Sequence, residues 1–152
     1  PGTAFIVYIP SSKSKINLRR SSAFDHSMIG NNEKVLIVDD QPEQNEVVAK
    51  ILTTLGYRSH SVTSGEEAVV YLQKNSVDLV ILDMLMGDGM NGRQTYEKIL
   101  ELNPEQKAIV VSGYCGVEEL EKAKSLGITV FLQKPIAIET LGRELQRVLV
   151  KN

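Results

Sequence analysis

From Glu33 to its end, this chain alternates short apolar runs with segments in which apolar residues recur at helical spacing. The apolar runs have the length of β-strands and cover residues 34–39, 57–62, 77–83, 107–112 and 129–132. The third run has four consecutive apolar residues, Leu79 to Leu82, which is typical of a strand buried on both faces. Few topologies accommodate this alternation, because each right-handed crossover between parallel strands carries a helix.

The intervening segments carry helix signals. Pro42 suits a first turn and Gly56 a stop, and the helix between them is predicted to present one apolar face, formed by Val47, Val48, Ile51, Leu52 and Leu55. Ser64 and Glu67 fit a capping box that opens a helix through Asn75. Three further helices are predicted over residues 93–102, 117–126 and 137–150. We therefore predict an α/β fold, a flavodoxin-like (βα)5 doubly wound parallel sheet with strand order 2-1-3-4-5.

That strand order brings chemistry-bearing residues to one edge of the sheet. Asp39 and Asp40 end the first strand, Asp83 ends the third and Ser112 ends the fourth, while Lys134 follows the fifth. In open α/β sheets the carboxyl edge is where ligands bind. Taken singly, each residue has an ordinary explanation, since acidic residues at strand ends often cap helices. Convergence of four strand ends on one place favours a functional site.

The residue types at this edge define a chemistry. Two carboxylates about 4 Å apart repel by roughly 4 kcal/mol at an effective dielectric constant of 20, so a cation must offset the acidic cluster. Oxygen ligands without His or Cys favour a hard divalent ion, and Mg²⁺ fits this pattern. A divalent ion, the Lys134 ammonium and the Ser112 hydroxyl together suit a phosphoryl group. Asp83, ionised at neutral pH, would be the nucleophile that accepts it.

Bulk composition argues against other classes of function. A net charge of -2 without clustered Lys or Arg, and the absence of Trp, argue against nucleic-acid binding. The single Cys115 can form no internal disulfide, so we expect a reducing compartment and a cytoplasmic location, with a tether to a membrane-bound protein left open. No apolar run approaches the about 20 residues that span a bilayer, so no direct membrane contact is expected.

Residues 34–151 resemble the receiver domain of two-component response regulators, and the predicted domain covers residues 33–152. The acidic pair, the phosphoacceptor aspartate, the Ser/Thr position and the Lys-Pro dipeptide of that family are matched by Asp39-Asp40, Asp83, Ser112 and Lys134-Pro135. The resemblance implies that Asp40, Asp83 and the backbone carbonyl of Leu85 ligate Mg²⁺, with Asp39 assisting through water. It also implies that Ser112 and Lys134 hold the phosphoryl oxygens.

The resemblance extends to a conformational switch. Phe131 matches the family's switch aromatic, three residues before the lysine, and would relay the state of Ser112 to the surface around the fourth helix and fifth strand. Gly113 would leave room for the phosphodonor. One departure concerns the loop after the acceptor, where Met86 is followed by Gly87 instead of the usual proline and Gly92 comes one residue late. We expect this loop to be longer and less rigid than in the family.

The function implied is that of a phosphoacceptor in a two-component phosphorelay. A phosphohistidine of a histidine kinase or histidine phosphotransfer domain, in cis or in trans, would donate to Asp83, and the domain would catalyse its own phosphorylation and dephosphorylation. A degenerate receiver that only docks proteins is the alternative. A phosphatase would want a second carboxylate at the position of Leu85, and a flavin module would want a hydroxyl- and glycine-rich loop where residues 39–42 are anionic.

The N-terminal residues predict a larger parent protein. Residues 1–10 hold a short β-branched and aromatic run between two prolines and resemble the closing strand of a histidine-kinase ATP-binding domain. The polar residues 11–32 are interpreted as a linker. Together they predict the C-terminal receiver of a hybrid sensor histidine kinase, with a stand-alone regulator carrying a vector-derived tail as the alternative. Without its parent sheet, the strand at residues 5–9 is expected to pair with an edge strand, in cis or in a dimer.

Overall fold

The protein is described by a computed structural model that covers residues 28–113 and 116–150. The predicted strand within residues 1–10, most of the predicted linker and Cys115 lie outside these residues. The association expected for the N-terminal strand therefore stays a prediction. Among the helices formed by the described residues, none combines the length and the apolar character needed to cross a bilayer.

Strands and helices alternate along the described chain. The strands are β1 (Lys34–Val38), β2 (Arg58–Val62), β3 (Leu79–Asp83), β4 (Ala108–Ser112) and β5 (Phe131–Gln133). The helices are α1 (Pro42–Thr54), α2 (Gly65–Leu72), α3 (Gly92–Leu102), α4 (Val117–Ser125) and α5 (Ile138–Val150). The strands are parallel and lie in the order β2-β1-β3-β4-β5. This confirms the predicted fold and strand order.

Two apolar clusters cover the two faces of the sheet, as a doubly wound fold requires. One face packs against α1 and α5, and its buried members include Ile37, Ile81, Val111, Leu52 and Leu145. The other packs against α2, α3 and α4, and its buried members include Leu36, Leu82, Ala68, Ile99 and Ala123. Every residue of β3 and β4 is buried, which agrees with the uninterrupted apolar runs of these strands.

The predicted apolar face of α1 was wrong at one position. Val47 is 52% exposed, whereas Asn45, Val48 and Leu52 are buried. These three residues follow the i, i+3, i+7 spacing of a helical face, so a polar residue occupies a core position that the apolar residues alone did not reveal. The reason is a pair of hydrogen bonds: Asn45 Nδ2 donates to the backbone oxygens of Asp39 at 2.8 Å and Val62 at 3.2 Å.

Two further boundaries differ from those predicted. Helix α2 ends at Leu72, before the predicted Asn75. Strand β5 covers Phe131–Gln133 and not residues 129–132, because its register pairs Phe131 with Val110.

The caps of two helices fix the loops around the acidic edge. Ser64 accepts a hydrogen bond from Glu67 N–H at 3.2 Å, as predicted, but the Glu67 carboxylate accepts from Thr63 N–H at 2.8 Å, one residue before the cap. Helix α3 begins with a complete capping box in which Asn91 and Gln94 exchange hydrogen bonds. These caps determine where the chain enters α2 and α3.

Residues 28–32, which the sequence assigns to the end of the linker, lie against the domain. Gly30 N–H donates to the oxygen of Leu55 at 2.7 Å and Asn32 N–H donates to that of Gly56 at 3.1 Å. A Cβ atom at Gly30 would lie 2.4 Å from the ring of Tyr57, so only glycine allows this approach. The packed part of the domain therefore includes these residues.

Candidate functional site

The carboxyl ends of β1 and β3 bring three carboxylates together. Val38 pairs with Leu82 in the register, so Asp39 and Asp40, which follow β1, lie at the same edge of the sheet as Asp83, the last residue of β3. One oxygen from each carboxylate lies within 4.8 Å of the others. Asp39 and Asp83 are each 4% exposed, and Asp40 is more exposed than either. The predicted acidic cluster is thus formed.

Lys134 provides the cation of this cluster. Its Nζ donates to Asp39 Oδ2 at 2.5 Å and to Asp83 Oδ2 at 2.7 Å. Its backbone N–H donates to Ser112 O at 3.0 Å, which fixes the start of the side chain against the end of β4. Burial lowers the pKa of Lys134, but its hydrogen bonds to the two aspartates outweigh this effect, so the pKa lies above its usual value. The ammonium is therefore charged at every physiological pH.

Ser112 lies at the same edge and is 5% exposed. Together with Gly113, Leu120 and Phe131 it lines a cavity of about 250 Å³ beside α4. A Cβ atom at Gly113 would meet no atom within 4 Å, so space is open around this residue. Phe131 is half-buried on the wall of the same cavity. The two residues predicted to form the switch thus share one cavity.

The loop that follows Asp83 is held by carboxylates at three points. Leu85 N–H donates to Asp83 Oδ1 at 3.0 Å, and Gly87 N–H donates to Asp40 Oδ2 at 2.8 Å. Met90 N–H donates to Glu66 Oε1 at 2.9 Å. The loop is longer than the family pattern, as the sequence indicates, but in the structure each half of it is hydrogen-bonded.

The cluster fits a hard divalent cation. Asp40 Oδ1 is buried and has no hydrogen-bond partner among residues 28–113 and 116–150. Among the described residues, Lys134 is the one cation paired with this cluster, and its ammonium contacts Asp39 and Asp83 only, so negative charge is in excess. A buried oxygen without a partner and an excess of negative charge are both relieved by an oxygen-seeking ion such as Mg²⁺.

Comparison with known proteins decides the family. A family model described as the response regulator receiver domain matches residues 35–146. The chain belongs to this family. Receiver domains generally bind Mg²⁺ at an acidic cluster and interact with histidine kinases or phosphotransfer proteins, and this receiver groups Asp39, Asp40 and Asp83 in such a cluster.

Relatives of this receiver include both large and small signalling proteins. The autoinducer 1 sensor kinase/phosphatase LuxN of Vibrio harveyi is 36% identical over 118 residues, which cover 78% of this chain and 14% of LuxN. The sporulation initiation phosphotransferase F of Bacillus subtilis is 27% identical over 118 residues and is covered over 94% of its length. The receiver thus spans a small part of one relative and nearly all of the other.

Solved structures agree with the fold. A CheY-like response regulator receiver domain protein from Methanospirillum hungatei has a TM-score of 0.74 and 25% identity to this chain. The match covers 79% of this chain and 95% of that one. The flavodoxin-like fold predicted from the sequence is therefore the fold of solved receiver domains.

Sequence reasoning missed two residues around the receiver's acidic edge. Asn45 joins the ends of β1 and β2 through its amide, and Glu66 holds the loop after Asp83. A polar residue at the i, i+3, i+7 spacing of the α1 core face could have indicated Asn45. For Glu66 the sequence offers no such signal, since it precedes Glu67 in a helical first turn where acidic residues are common.

Proposed function

We propose that Asp83 of this receiver is the phosphoacceptor. An Asp83 carboxylate oxygen attacks the phosphorus of a phosphohistidine, the phosphorus–nitrogen bond breaks, and the electron pair of that bond stays on the imidazole nitrogen. The observation that carries the proposal is the pair of hydrogen bonds from Lys134 Nζ to Asp83 and Asp39 at the carboxyl edge of the sheet. A nearly buried carboxylate hydrogen-bonded to a fixed cation is suited to nucleophilic attack on phosphorus.

The proposal assigns Mg²⁺ to the acidic cluster. Asp40, Asp83 and the carbonyl of Leu85 would hold it, and Asp39 would assist through water; a bound Mg²⁺ neutralises the oxygens of the phosphoryl group. The unpartnered Oδ1 of Asp40 supports this assignment. Lys134 would move from the Asp83 oxygen to a phosphoryl oxygen, and the Ser112 hydroxyl would donate to another. The open space at Gly113 leaves an approach for the donor.

Phosphorylation would switch the surface beside α4. The phosphoryl group adds roughly -1.5 to -2 charge, which draws hydrogen-bond donors toward the acceptor. Ser112 and Phe131 line one cavity, so a shift of Ser112 toward the phosphoryl group would change the space available to the Phe131 ring. With no hydroxyl on this ring, the change would act by packing.

The proposal also includes the organisation of the parent protein. Residues 1–10 would close a histidine-kinase ATP-binding domain, residues 11–32 would be the linker, and the receiver would belong to a hybrid sensor histidine kinase in the cytoplasm. Support comes from LuxN and from the sensor histidine kinase RcsC of Salmonella typhimurium, of which the matches cover 14% and 12%. The partner would be a phosphohistidine of a kinase or phosphotransfer domain.

Intact mass after incubation with a small phosphoramidate tests the central proposal. Wild type with Mg²⁺ should gain one phosphoryl group, and wild type without Mg²⁺ or the Asp83→Ala variant should gain none. Asp88→Ala is the matched control, because Asp88 is an exposed aspartate of the same loop and should not be required. A phosphoryl group of unchanged yield on Asp83→Ala would overturn the proposal. No adduct on wild type would favour the docking module.

Association through the N-terminal strand needs its own test. Light scattering should give a mass above that of the monomer for the full chain but not for a chain that begins at Met28, the first residue that the structure describes. Identical monomers would remove the proposed dimer.

A further inference from the structure

We propose that Glu66 is a positioning residue of the phosphoacceptor site: by holding the loop after Asp83 at Met90, it orients the Asp40 carboxylate toward the cation. The inference rests on the proposed function of Asp83 and deepens it. Glu66 lies in the first turn of α2, outside the acidic cluster, and its Oε1 accepts a hydrogen bond from Met90 N–H at 2.9 Å.

The loop links Glu66 to Asp40 through a short stretch of backbone. Gly87 N–H donates to Asp40 Oδ2 at 2.8 Å, and this bond leaves the other oxygen, Oδ1, buried and without a partner among the described residues. The Gly87 contact therefore decides which oxygen of Asp40 is available to a cation. Met90 lies three residues after Gly87 in the same loop, and its hydrogen bond to Glu66 fixes the loop there.

This hydrogen bond matters because the loop contains two glycines close together. They are Gly87 and Gly89, within a segment that is one residue longer than the family pattern, and glycine has the largest backbone entropy to lose. Gly89 has φ +89°, and a Cβ atom there would lie 2.8 Å from Glu66 Oε1. Glycine at this position therefore permits the carboxylate of α2 to approach the loop.

Glu66 also differs from the other carboxylates that hold the loop. Asp83 and Asp40 accept from Leu85 and Gly87 N–H groups and are themselves the proposed metal ligands, so their oxygens are shared with the cation. Glu66 is not part of the acidic cluster. Its hydrogen bond to the loop is available whether or not the cation is bound, which is what a positioning residue requires.

Four proteins separate positioning from helix stability: wild type, Glu66→Ala, Glu66→Gln and Glu67→Ala. Glu67 is the control because it lies in the same turn of α2 but accepts from Thr63 N–H and not from the loop. The Glu66→Ala variant loses one exposed, charge-assisted hydrogen bond. Its Mg²⁺ affinity, measured by calorimetric titration, should be about five-fold weaker than that of wild type. Glu66→Gln keeps the acceptor oxygen and should stay within about two-fold of wild type. Glu67→Ala should lower the melting temperature at unchanged Mg²⁺ affinity.

A second readout does not involve the metal. In metal-free protein, Glu66→Ala should accelerate amide exchange at Gly87 and Met90 relative to wild type, whereas Glu67→Ala should not. Unchanged Mg²⁺ affinity in Glu66→Ala, or equal weakening in Glu66→Ala and Glu67→Ala, would overturn the inference. If wild type gained no phosphoryl group while Glu66→Ala still weakened Mg²⁺ binding, the proposed phosphoacceptor function would fail and the positioning role would stand.

Discussion

Lys134 Nζ lies 2.7 Å from Asp83 Oδ2, a contact between residues 51 positions apart in the chain. The same nitrogen contacts Asp39 at 2.5 Å, and the three side chains are between 5% and 17% exposed. The ammonium is therefore the internal counter-ion of a cluster that would otherwise hold three carboxylates without one. Loss of the Lys134 ammonium should therefore lower the stability of the fold, and addition of a divalent ion should raise it.

Replacing Lys134 by alanine should lower the free energy of unfolding by about 2 kcal/mol without Mg²⁺, because two nearly buried carboxylates lose their partner. Saturating Mg²⁺ should restore much of this loss, so the stabilisation by Mg²⁺ should be larger in the variant than in wild type. Urea unfolding with and without Mg²⁺ measures both effects. Lys98→Ala, which removes an exposed Lys98–Glu101 pair, should change stability by no more than about 0.5 kcal/mol. Equal stability of Lys134→Ala and wild type in the absence of Mg²⁺ would refute the counter-ion role.

Asp40→Asn and Asp40→Ala should have different effects on the loop after Asp83. Both variants remove a carboxylate and should weaken Mg²⁺ binding at least ten-fold, an order-of-magnitude expectation for one ligand. Asparagine keeps an oxygen that can accept from Gly87 N–H, whereas alanine does not. Amide exchange at Gly87 should therefore be faster in Asp40→Ala than in Asp40→Asn. The same exchange rate in both variants would mean that the hydrogen bond does not hold the loop.

Tyr96 should make the domain sensitive to alkaline pH. Burial raises the pKa of its phenol above 10.0, and its hydroxyl donates to the oxygen of Gln106 at 2.5 Å. The folded state therefore keeps this proton where the unfolded chain loses it, so its contribution to stability is complete below pH 10 and falls as the pH rises toward the folded-state pKa.

Tyr96→Phe should cost about 1 kcal/mol at neutral pH, through the lost hydrogen bond, and should flatten the decline above pH 10. Urea unfolding at several pH values measures the slope. Tyr57 also has a pKa raised by burial, so some alkaline decline should remain in the variant. A slope identical to that of wild type would exclude Tyr96 as a source of the decline.

Gly65 should not tolerate a side chain, because a Cβ atom there would lie 2.0 Å from Thr95 Oγ1 where α2 meets α3. Gly65→Ala should destabilise the domain by about 2 kcal/mol through overpacking. Thr95→Ala removes the colliding oxygen, so the double variant should be more stable than the sum of the two single losses predicts. Thermal unfolding of the four proteins gives the coupling. Strict additivity would mean that the two positions do not compete for space.

The sequence was sufficient to predict the fold because each strand carries its own signal. The apolar runs of β3 and β4 are buried along their whole length, and the alternation with helices leaves one plausible strand order. The same order places Asp39, Asp83 and Lys134 at one edge, so the acidic cluster with its cation follows from topology alone.

What the sequence could not provide depends on contacts between separate elements. Val47 was assigned to the α1 core face because it is apolar, while the buried position belongs to Asn45, whose amide satisfies two backbone oxygens. The hydrogen bond between Glu66 and Met90 joins residues 24 positions apart, and it forms because α2 lies beside the loop. The local spacing of residues does not predict this contact. Apolar periodicity can mark a core position such as that of Asn45, but it does not show which backbone groups a polar side chain there would bind.

The groups of this site come from four different strands, so the site is complete only when all four strands are in place. The acid pair follows β1, Asp83 ends β3, the Ser112 hydroxyl ends β4 and the Lys134 ammonium follows β5, so a species with β5 detached would keep all three carboxylates but lose their counter-ion. Partial unfolding from the C-terminal end would thus abolish the proposed phosphoacceptor environment while most of the sheet persisted. On the proposed function, competence for phosphorylation would consequently serve as a probe of subglobal opening that reports whether this edge strand is docked.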